Sequence, residues 1–156
     1  MSLRAVVGFG ANLGDRLGTM RAALRELGAV ARVERTSRVY ATAPVGPPQP
    51  EYLNAAALVA FEGTAEQLLD ALLGIEARLG RVRGERFGPR TIDLDVLWAD
   101  GVSVETGRLV VPHPRLPERA FALAPMLEVA PGATDPRTGR AYEVPAGDVR
   151  PTGDVL

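Results

Sequence analysis

The sequence contains neither cysteine nor lysine, and all 18 of its basic residues are arginine. Without cysteine there is no disulfide framework, no thiolate metal site and no cysteine nucleophile. Without lysine, a lysine-dependent phosphate loop, a Schiff base and a lysine general base are also excluded. If the protein holds phosphate groups, it must use arginine side chains, backbone N–H groups, its only histidine (His113) or a metal ion.

Long apolar runs and a strong charge of either sign are missing too. No run approaches the roughly 18 apolar residues of a membrane span, and the N-terminus lacks the features of a signal peptide. The net charge of −1 argues against a nucleic-acid or membrane-surface partner. With 156 residues, the chain is expected to form a single domain over residues 1–156 and to work as a cytoplasmic enzyme or binding domain.

The order of apolar patterns along the chain predicts the fold class. The segments typical of strands are 3–9, 30–40, 52–61 and 92–98. A helical stripe from Leu17 to Leu27, ended by Gly28, follows the first strand, and Thr64 begins a second helix with a capping-box sequence. This split βαβ order predicts an α+β, ferredoxin-like sandwich in which an antiparallel-rich sheet has helices packed on it.

The connections and the C-terminal part carry weaker patterns. The early G-F-G-A-N-L-G segment matches no nucleotide-binding motif and is interpreted as a tight strand-to-helix turn. A hairpin is predicted through residues 102–104 and 108–111, and a short helix over 118–127. Residues 131–156 carry no motif and predict turns and a weak terminal hairpin.

The strand at 92–98 contains two aspartates in a strictly alternating pattern. One predicted face carries Ile92, Leu94, Val96 and Trp98, and the other carries Thr91, Asp93, Asp95 and Leu97. Aspartate is disfavoured in strands, so a pair of them on one face requires a reason. Two hypotheses stay open from this pattern alone: a solvated strand face, or a site for a hard cation such as Mg²⁺ that uses carboxylates together with substrate phosphates.

Other segments allow both an ordinary and a functional interpretation. Tyr52 and Asn54 share one face of a strand, where they could decorate the strand or bind a flat heterocycle. The arginines before the aspartates could form a solvated face, but their glycine-rich loop favours phosphate binding: Arg81, Arg83, Arg86 and Arg90. His113 lies between two prolines, and it could be a surface residue or face a ligand.

Several separated motifs together resemble one enzyme family. The central one is R-F-G-P-R-T-I-D-L-D-V-L, and G-A-N-L-G-D, Y-L-N-A-A and V-P-H-P-R-L-P-E-R-A-F accompany it in order. These motifs resemble the 6-hydroxymethyl-7,8-dihydropterin pyrophosphokinase family of folate biosynthesis. The resemblance covers about residues 3 to 130 and implies transfer of pyrophosphate from ATP to a pterin alcohol, giving the pterin diphosphate and AMP. The chain departs from the family pattern at Ala11, Phe87 and Pro114.

The resemblance also implies roles for individual residues. Two Mg²⁺ ions would be held by Asp93 and Asp95, and the residues implied as catalytic are Arg81, Arg90, Asp93 and Asp95. The pterin would lie between Tyr52 and Phe121, with Asn54 at its edge and backbone contacts from Thr42 and Val45. The residues implied around ATP are Glu76, Arg81, Arg83, Arg90, Arg108, Val110, His113 and Arg119.

The implied partners are small molecules, namely ATP and the hydroxymethyl-dihydropterin, and other folate-pathway enzymes are candidates for association. Two further hypotheses come from other classes of protein. A Mg²⁺-dependent phosphohydrolase could use the same aspartates and arginines without a pterin pocket. A non-catalytic ferredoxin-like module could bind a small ligand or RNA, although the near-neutral charge counts against RNA.

Overall fold

The computed structural model describes residues 2–43, 50–80 and 92–156. In these segments the chain forms strands, α-helices and one 3-10 turn. In chain order they are β1 (Ser2–Ala11), α1 (Arg16–Val30), β2 (Arg32–Thr36), β3 (Arg38–Thr42), β4 (Tyr52–Glu62), α2 (Ala65–Arg78), β5 (Asp93–Ala99), β6 (Val104–Glu105), β7 (Val110–Val111), the 3-10 turn (Leu116–Glu118), α3 (Ala120–Val129) and β8 (Arg150–Val155).

The main sheet is antiparallel and has the strand order β5-β1-β4-β3-β8, with β2 pairing with the same strand, β4, as β3 does. β1 and β4 form the centre, and their buried alternate residues form one core together with α1 and α2. The predicted α+β sheet with helices packed on it is confirmed. Among the described helices, none is long and apolar enough to cross a membrane.

Local sequence signals explain most element boundaries. The Asp15 side chain accepts a hydrogen bond from the Gly18 N–H group at the start of α1, and Thr64 and Gln67 form the predicted capping box at the start of α2. Gly80, with φ of +90°, follows the end of α2. Gly28 does not end α1, which continues to Val30, because a glycine inside a helix weakens it without forcing a stop.

The single strand predicted over 30–40 is in fact two strands, β2 and β3, which are separated by Ser37. The Ser37 N–H group donates to the Ala56 carbonyl oxygen, and the Ser37 hydroxyl accepts from the Ala56 N–H group at 2.9 Å. The predicted hairpin is present as the short pair β6 and β7, and the predicted third helix is present as α3.

α3 packs on the face of the sheet opposite to α1 and α2. Its buried side chains, including Leu123 and Met126, meet Val6 on β1 and Leu58 on β4 in a second core. Because α3 is only 10 residues long, it covers only part of this face. The uncovered part is where the strands carry polar and glycine residues.

The face predicted for Trp98 is wrong. The pairing of β1 with β5 shifts between Val6 and Val7, because Val6 lies opposite Trp98 whereas Val7 lies opposite Val96. The extra residue, Leu97, forms a β-bulge that reverses the alternation after it. Trp98 therefore packs with α3 in the second core, while Ile92, Leu94 and Val96 face α1 and α2 as predicted.

The C-terminal segment does not form the weak terminal hairpin that the sequence predicted. β8 instead extends the main sheet by pairing with β3. All six residues of β8 are exposed, so no apolar alternation marks them as a strand.

Candidate functional site

A cavity of about 650 Å³ opens on the uncovered part of the second sheet face. Its floor is the ends of β1, β4 and β5, and its walls are the N-terminal end of α3 and the C-terminal segment at residues 146–149. Its lining includes seven of the site residues predicted from the sequence: Thr42, Tyr52, Asn54, Asp93, Asp95, Arg119 and Phe121.

Strand register brings the polar residues of the floor together. Gly8 on β1 lies opposite Asp95, and Gly10 lies opposite both Asp93 on β5 and Asn54 on β4. Residues directly opposite each other in an antiparallel pair place their side chains on the same face. The two aspartates and Asn54 therefore share one face of the sheet, because β1 pairs with β5 on one side and with β4 on the other.

The glycines of β1 keep the floor of the cavity open. A Cβ atom added to Gly8 would lie 2.9 Å from the Leu97 side chain, which is too close without movement. A Cβ atom at Gly10 would lie 3.5 Å from the Asn54 Oδ1 atom. A larger residue at either position would fill the space between the aspartates and the amide, so glycine here serves close approach.

Asp93 is half-buried and Asp95 is exposed on the cavity face of β5. Mg²⁺ prefers oxygen ligands and commonly uses one or two carboxylates with water and substrate phosphates, so this donor set fits it. Within residues 2–43, 50–80 and 92–156, no group of three or more histidine, aspartate or glutamate side chains could hold a metal ion. A cation at this pair would therefore take further ligands from elsewhere, such as phosphate oxygens.

Asn54 is the most buried polar side chain of the cavity wall, with 8% exposure. Its Nδ2 group donates a hydrogen bond to the Thr42 hydroxyl at 3.2 Å, which holds the plane of the amide. Thr42 is also the direct register partner of Tyr52, so β3 and β4 present an amide, a hydroxyl and an aromatic ring side by side. A flat ligand with donors and acceptors along its edge would suit this arrangement.

Phe121 projects from the first turn of α3 and is 40% exposed. Its ring lies under the Arg119 guanidinium, with 5.6 Å between Cζ and the ring centroid. An exposed aromatic ring in a cavity wall provides a stacking surface for a flat ligand. Arg119 adds a cation beside it that can donate paired hydrogen bonds to an anion.

His113 is held next to β5 by its backbone, because its N–H group donates to the Leu97 carbonyl oxygen at 3.2 Å. The Nδ1 atom accepts a hydrogen bond from the Arg115 N–H group, which favours the neutral tautomer with its proton on Nε2. Burial lowers the pKa of His113 below its ordinary value of 6.5; Arg119 lowers it further, and Asp95 partly opposes the shift.

Four described residues that were predicted to bind ATP are not part of the cavity lining: His113, Glu76, Arg108 and Val110. Arg108 forms ion pairs with Asp70 at 2.5 Å and Glu66 at 3.8 Å on α2, and Val110 belongs to β7. The buried Glu76 carboxylate accepts the Leu94 N–H group at 2.8 Å, which fixes β5 between its two aspartates. Their predicted contacts with the nucleotide stay predictions.

Five residues with a predicted role in the site lie outside the described residues: Val45, Arg81, Arg83, Arg86 and Arg90. Phe87, one of the departures from the family pattern, lies outside them as well.

The cavity also contains residues that the sequence did not indicate. Gly8 and Gly10 are two residues apart, as are the aspartates opposite them. This matching spacing could have indicated the glycines, but only if the pairing of β1 with β5 had been known. Residues 146–149 form a wall although no motif marks them.

The chain is similar to known proteins over most of its length. Residues 6–131 match the family model described as 7,8-dihydro-6-hydroxymethylpterin-pyrophosphokinase (HPPK). A protein of Synechocystis sp. named 2-amino-4-hydroxy-6-hydroxymethyldihydropteridine pyrophosphokinase is 43% identical over 138 residues, which are 87% of this chain and 71% of that protein. A protein of the same name from Methylorubrum extorquens is 45% identical over 131 residues, covering 82% and 83% of the two chains.

Among solved structures, an HPPK-DHPS protein in complex with substrates matches with a TM-score of 0.70 and 13% identity. The match covers 90% of this chain but only 42% of the other, so this chain spans less than half of that protein and the likeness concerns the fold alone. The family and the ATP-dependent pyrophosphokinase activity predicted from the sequence are confirmed by the family match and the curated relatives: this chain belongs to the 7,8-dihydro-6-hydroxymethylpterin-pyrophosphokinase family.

Proposed function

We propose that the cavity on the second sheet face is where the hydroxymethyl-dihydropterin and the phosphates of ATP meet, and that residues 1–156 act as one pyrophosphokinase domain. The observation that carries the proposal is the register that places Asp93, Asp95 and Asn54 on one face, beside the exposed Phe121 ring. An aromatic surface, a buried amide and a carboxylate pair correspond to the three chemical parts of the reaction: a flat ring, its polar edge and a phosphate chain.

The pterin occupies the end of the cavity near Tyr52 and Phe121. Stacking against each ring contributes about 0.5–1.5 kcal/mol beyond burial. Asn54 can both donate to and accept from the amide-like edge of the pterin, and the backbone of Thr42 and Val45 supplies further contacts. This orientation aims the hydroxymethyl group at the carboxylate pair.

Asp93 and Asp95 would hold two Mg²⁺ ions, with oxygen atoms of ATP as further ligands. When bound, Mg²⁺ neutralises and orients the triphosphate. The alcohol oxygen of the pterin loses its proton to water and forms a bond with the β-phosphorus of ATP. The bond from this phosphorus to the oxygen that bridges it to the α-phosphate breaks, and AMP leaves with that oxygen. The chain's own contribution is mainly positioning and charge complementarity, which dominate phosphoryl transfer.

Hydrogen-bond donors of the protein surround the triphosphate of ATP. Arg119 supplies paired N–H groups from the start of α3, and neutral His113 donates through Nε2. Arg81, Arg83 and Arg90 complete the set, with Arg81 and Arg90 acting on the transferred group. Glu76, Arg108 and Val110 lie on the nucleotide side, where Glu76 supports β5.

The cellular setting is also part of the proposal. We expect the enzyme to work in the cytoplasm on small-molecule substrates, without a nucleic-acid or membrane partner. The solved HPPK-DHPS protein that shares the fold makes another folate-pathway enzyme a reasonable candidate for association.

The product distinguishes this function from the phosphohydrolase and binding-module hypotheses. With ATP, Mg²⁺ and hydroxymethyl-dihydropterin, the protein should release AMP in step with pterin diphosphate. Asp93→Asn and Asp95→Asn should each lower kcat by about 10³-fold, because each removes a charge that holds the cations. Asp100→Asn, in the exposed turn directly after β5, is the matched control and should retain activity. ADP or inorganic phosphate as the product, or near-normal turnover in either aspartate variant, would contradict the assignment.

The proposed stacking of the pterin on Phe121 is tested by the KM for the pterin. Phe121→Ala should raise the KM for the pterin about tenfold, because the ring is the stacking surface for the pterin, and leave the KM for ATP within about twofold, because the Arg119 guanidinium remains. Phe121→Tyr keeps the ring and should behave like the parent protein. Steady-state kinetics with each substrate varied in turn decide the question, and an unchanged pterin KM in Phe121→Ala would place the pterin elsewhere.

His113 is the only histidine, so a protein without an affinity tag shows a single imidazole in an NMR pH titration. Its pKa should lie below 6.5, and Arg119→Gln should raise it because a nearby cation is removed. As the pH falls below 6.5, the unfolded chain binds the proton first, so the free energy of unfolding should decrease in that window. A pKa at or above 6.5 in the folded protein would contradict the environment described for His113.

A further inference from the structure

The C-terminal segment contributes to the cavity although it lies beyond residues 6–131, which match the family model. Ala146, Gly147, Asp148 and Val149 line one wall. Gly147 packs closely against α3, because an added Cβ atom would lie 3.1 Å from the Ala120 Cβ atom. This segment therefore borders the same space as Phe121 and Asn54.

Asp148 connects this wall to β3 and to the start of β4. One oxygen of its carboxylate accepts the Ala43 N–H group at 3.0 Å, and the other accepts the Arg150 Nε–H group at 2.9 Å. A second nitrogen of Arg150 forms an ion pair with the Glu51 carboxylate. One network thus reaches Ala43, just after β3, and Glu51, just before β4.

The strand that follows Asp148, β8, is attached to β3 and to α1. Arg150 pairs with Ala41 on β3, and the Thr152 hydroxyl donates to the Val39 carbonyl oxygen at 3.0 Å. The Arg21 side chain on α1 also donates to the Val155 carbonyl oxygen at 2.8 Å. Asp148 therefore lies two residues before a strand that is itself fixed to the sheet.

The hydrogen bond to Ala43 has a consequence for Thr42. A trans peptide unit is planar, and its N–H and C=O groups point in opposite directions. By fixing the direction of the Ala43 N–H group, Asp148 also fixes the direction of the Thr42 carbonyl group. Thr42 is next to Asn54 through the side-chain hydrogen bond at 3.2 Å, so the two polar groups at the pterin edge are oriented together.

We propose that Asp148 is a positioning residue for the pterin, acting through the Thr42–Ala43 peptide, and that the C-terminal segment is thereby part of the substrate site. This inference rests on the proposed placement of the pterin in the cavity. Asp148, Arg150 and Glu51 have side chains that are about half exposed, at 50%, 54% and 45%. Exposed ion pairs add little to stability, so the network serves orientation more than folding.

The positioning role is tested by measuring whether variants of Asp148 change the KM for the pterin without changing the KM for ATP. Asp148→Ala should raise the KM for the hydroxymethyl-dihydropterin about tenfold, with kcat and the KM for ATP within about twofold of the parent values. Asp148→Asn keeps an oxygen acceptor for the Ala43 N–H group and should recover most of the affinity. Asp154→Ala removes an exposed acid of the neighbouring strand β8 and should change neither constant, which makes it the matched control.

Two further variants separate the possible failures. If Asp148→Ala does not fold, Arg150→Ala, which removes one of the groups that hold the carboxylate, should raise the pterin KM about threefold. An unchanged pterin KM in the folded Asp148 or Arg150 variant, or an equal rise in both Michaelis constants, overturns the positioning role. Asn54→Ala is measured in parallel: if it raises the pterin KM while the Asp148 variants do not, only the positioning role fails. If none of these variants changes the pterin KM, the proposed pterin pocket fails as well.

Discussion

The antiparallel register of β1 with its two neighbours is the constraint on which the site depends. Gly8 and Gly10 lie opposite the two aspartates of β5, and Gly10 also lies opposite Asn54 of β4. Because the side chains of a strand alternate between faces, a shift of one residue in either pairing would turn one set of groups into the core. The same register leaves the centre of the floor free of side chains, so that a ligand can contact the carboxylates and the amide together.

The rest of the architecture protects or completes this floor. α1 and α2 bury the other sheet face, and Glu76 of α2 holds the Leu94 N–H group between the aspartates. The bulge at Leu97 changes which face of the sheet the side chains of β5 occupy. It ends the row of residues that line the cavity, and it turns Trp98 toward α3. α3 covers only part of this face, and its first turn places Phe121 at the edge of the cavity.

Much of this could be predicted from the sequence where one physical signal dominates. The alternation around Asp93 and Asp95 and the capping box at Thr64 are local patterns, and the structure retains both. The side of Trp98 could not be predicted, because a bulge depends on the partner strand. β8 could not be predicted either, because its residues are exposed and it is held by backbone pairing and by hydrogen bonds such as that from Thr152. The role proposed for Asp148 rests on contacts far apart in sequence, such as that with Ala43.

The most direct test of the shared floor is a crystal structure of the protein with Mn²⁺, a non-hydrolysable ATP analogue and hydroxymethyl-dihydropterin. The proposed arrangement of the site requires anomalous density for Mn²⁺ at Asp93 and Asp95, with the pterin ring against Phe121 and its polar edge at Asn54. A metal bound away from the two aspartates, or a pterin bound outside this cavity, would contradict it.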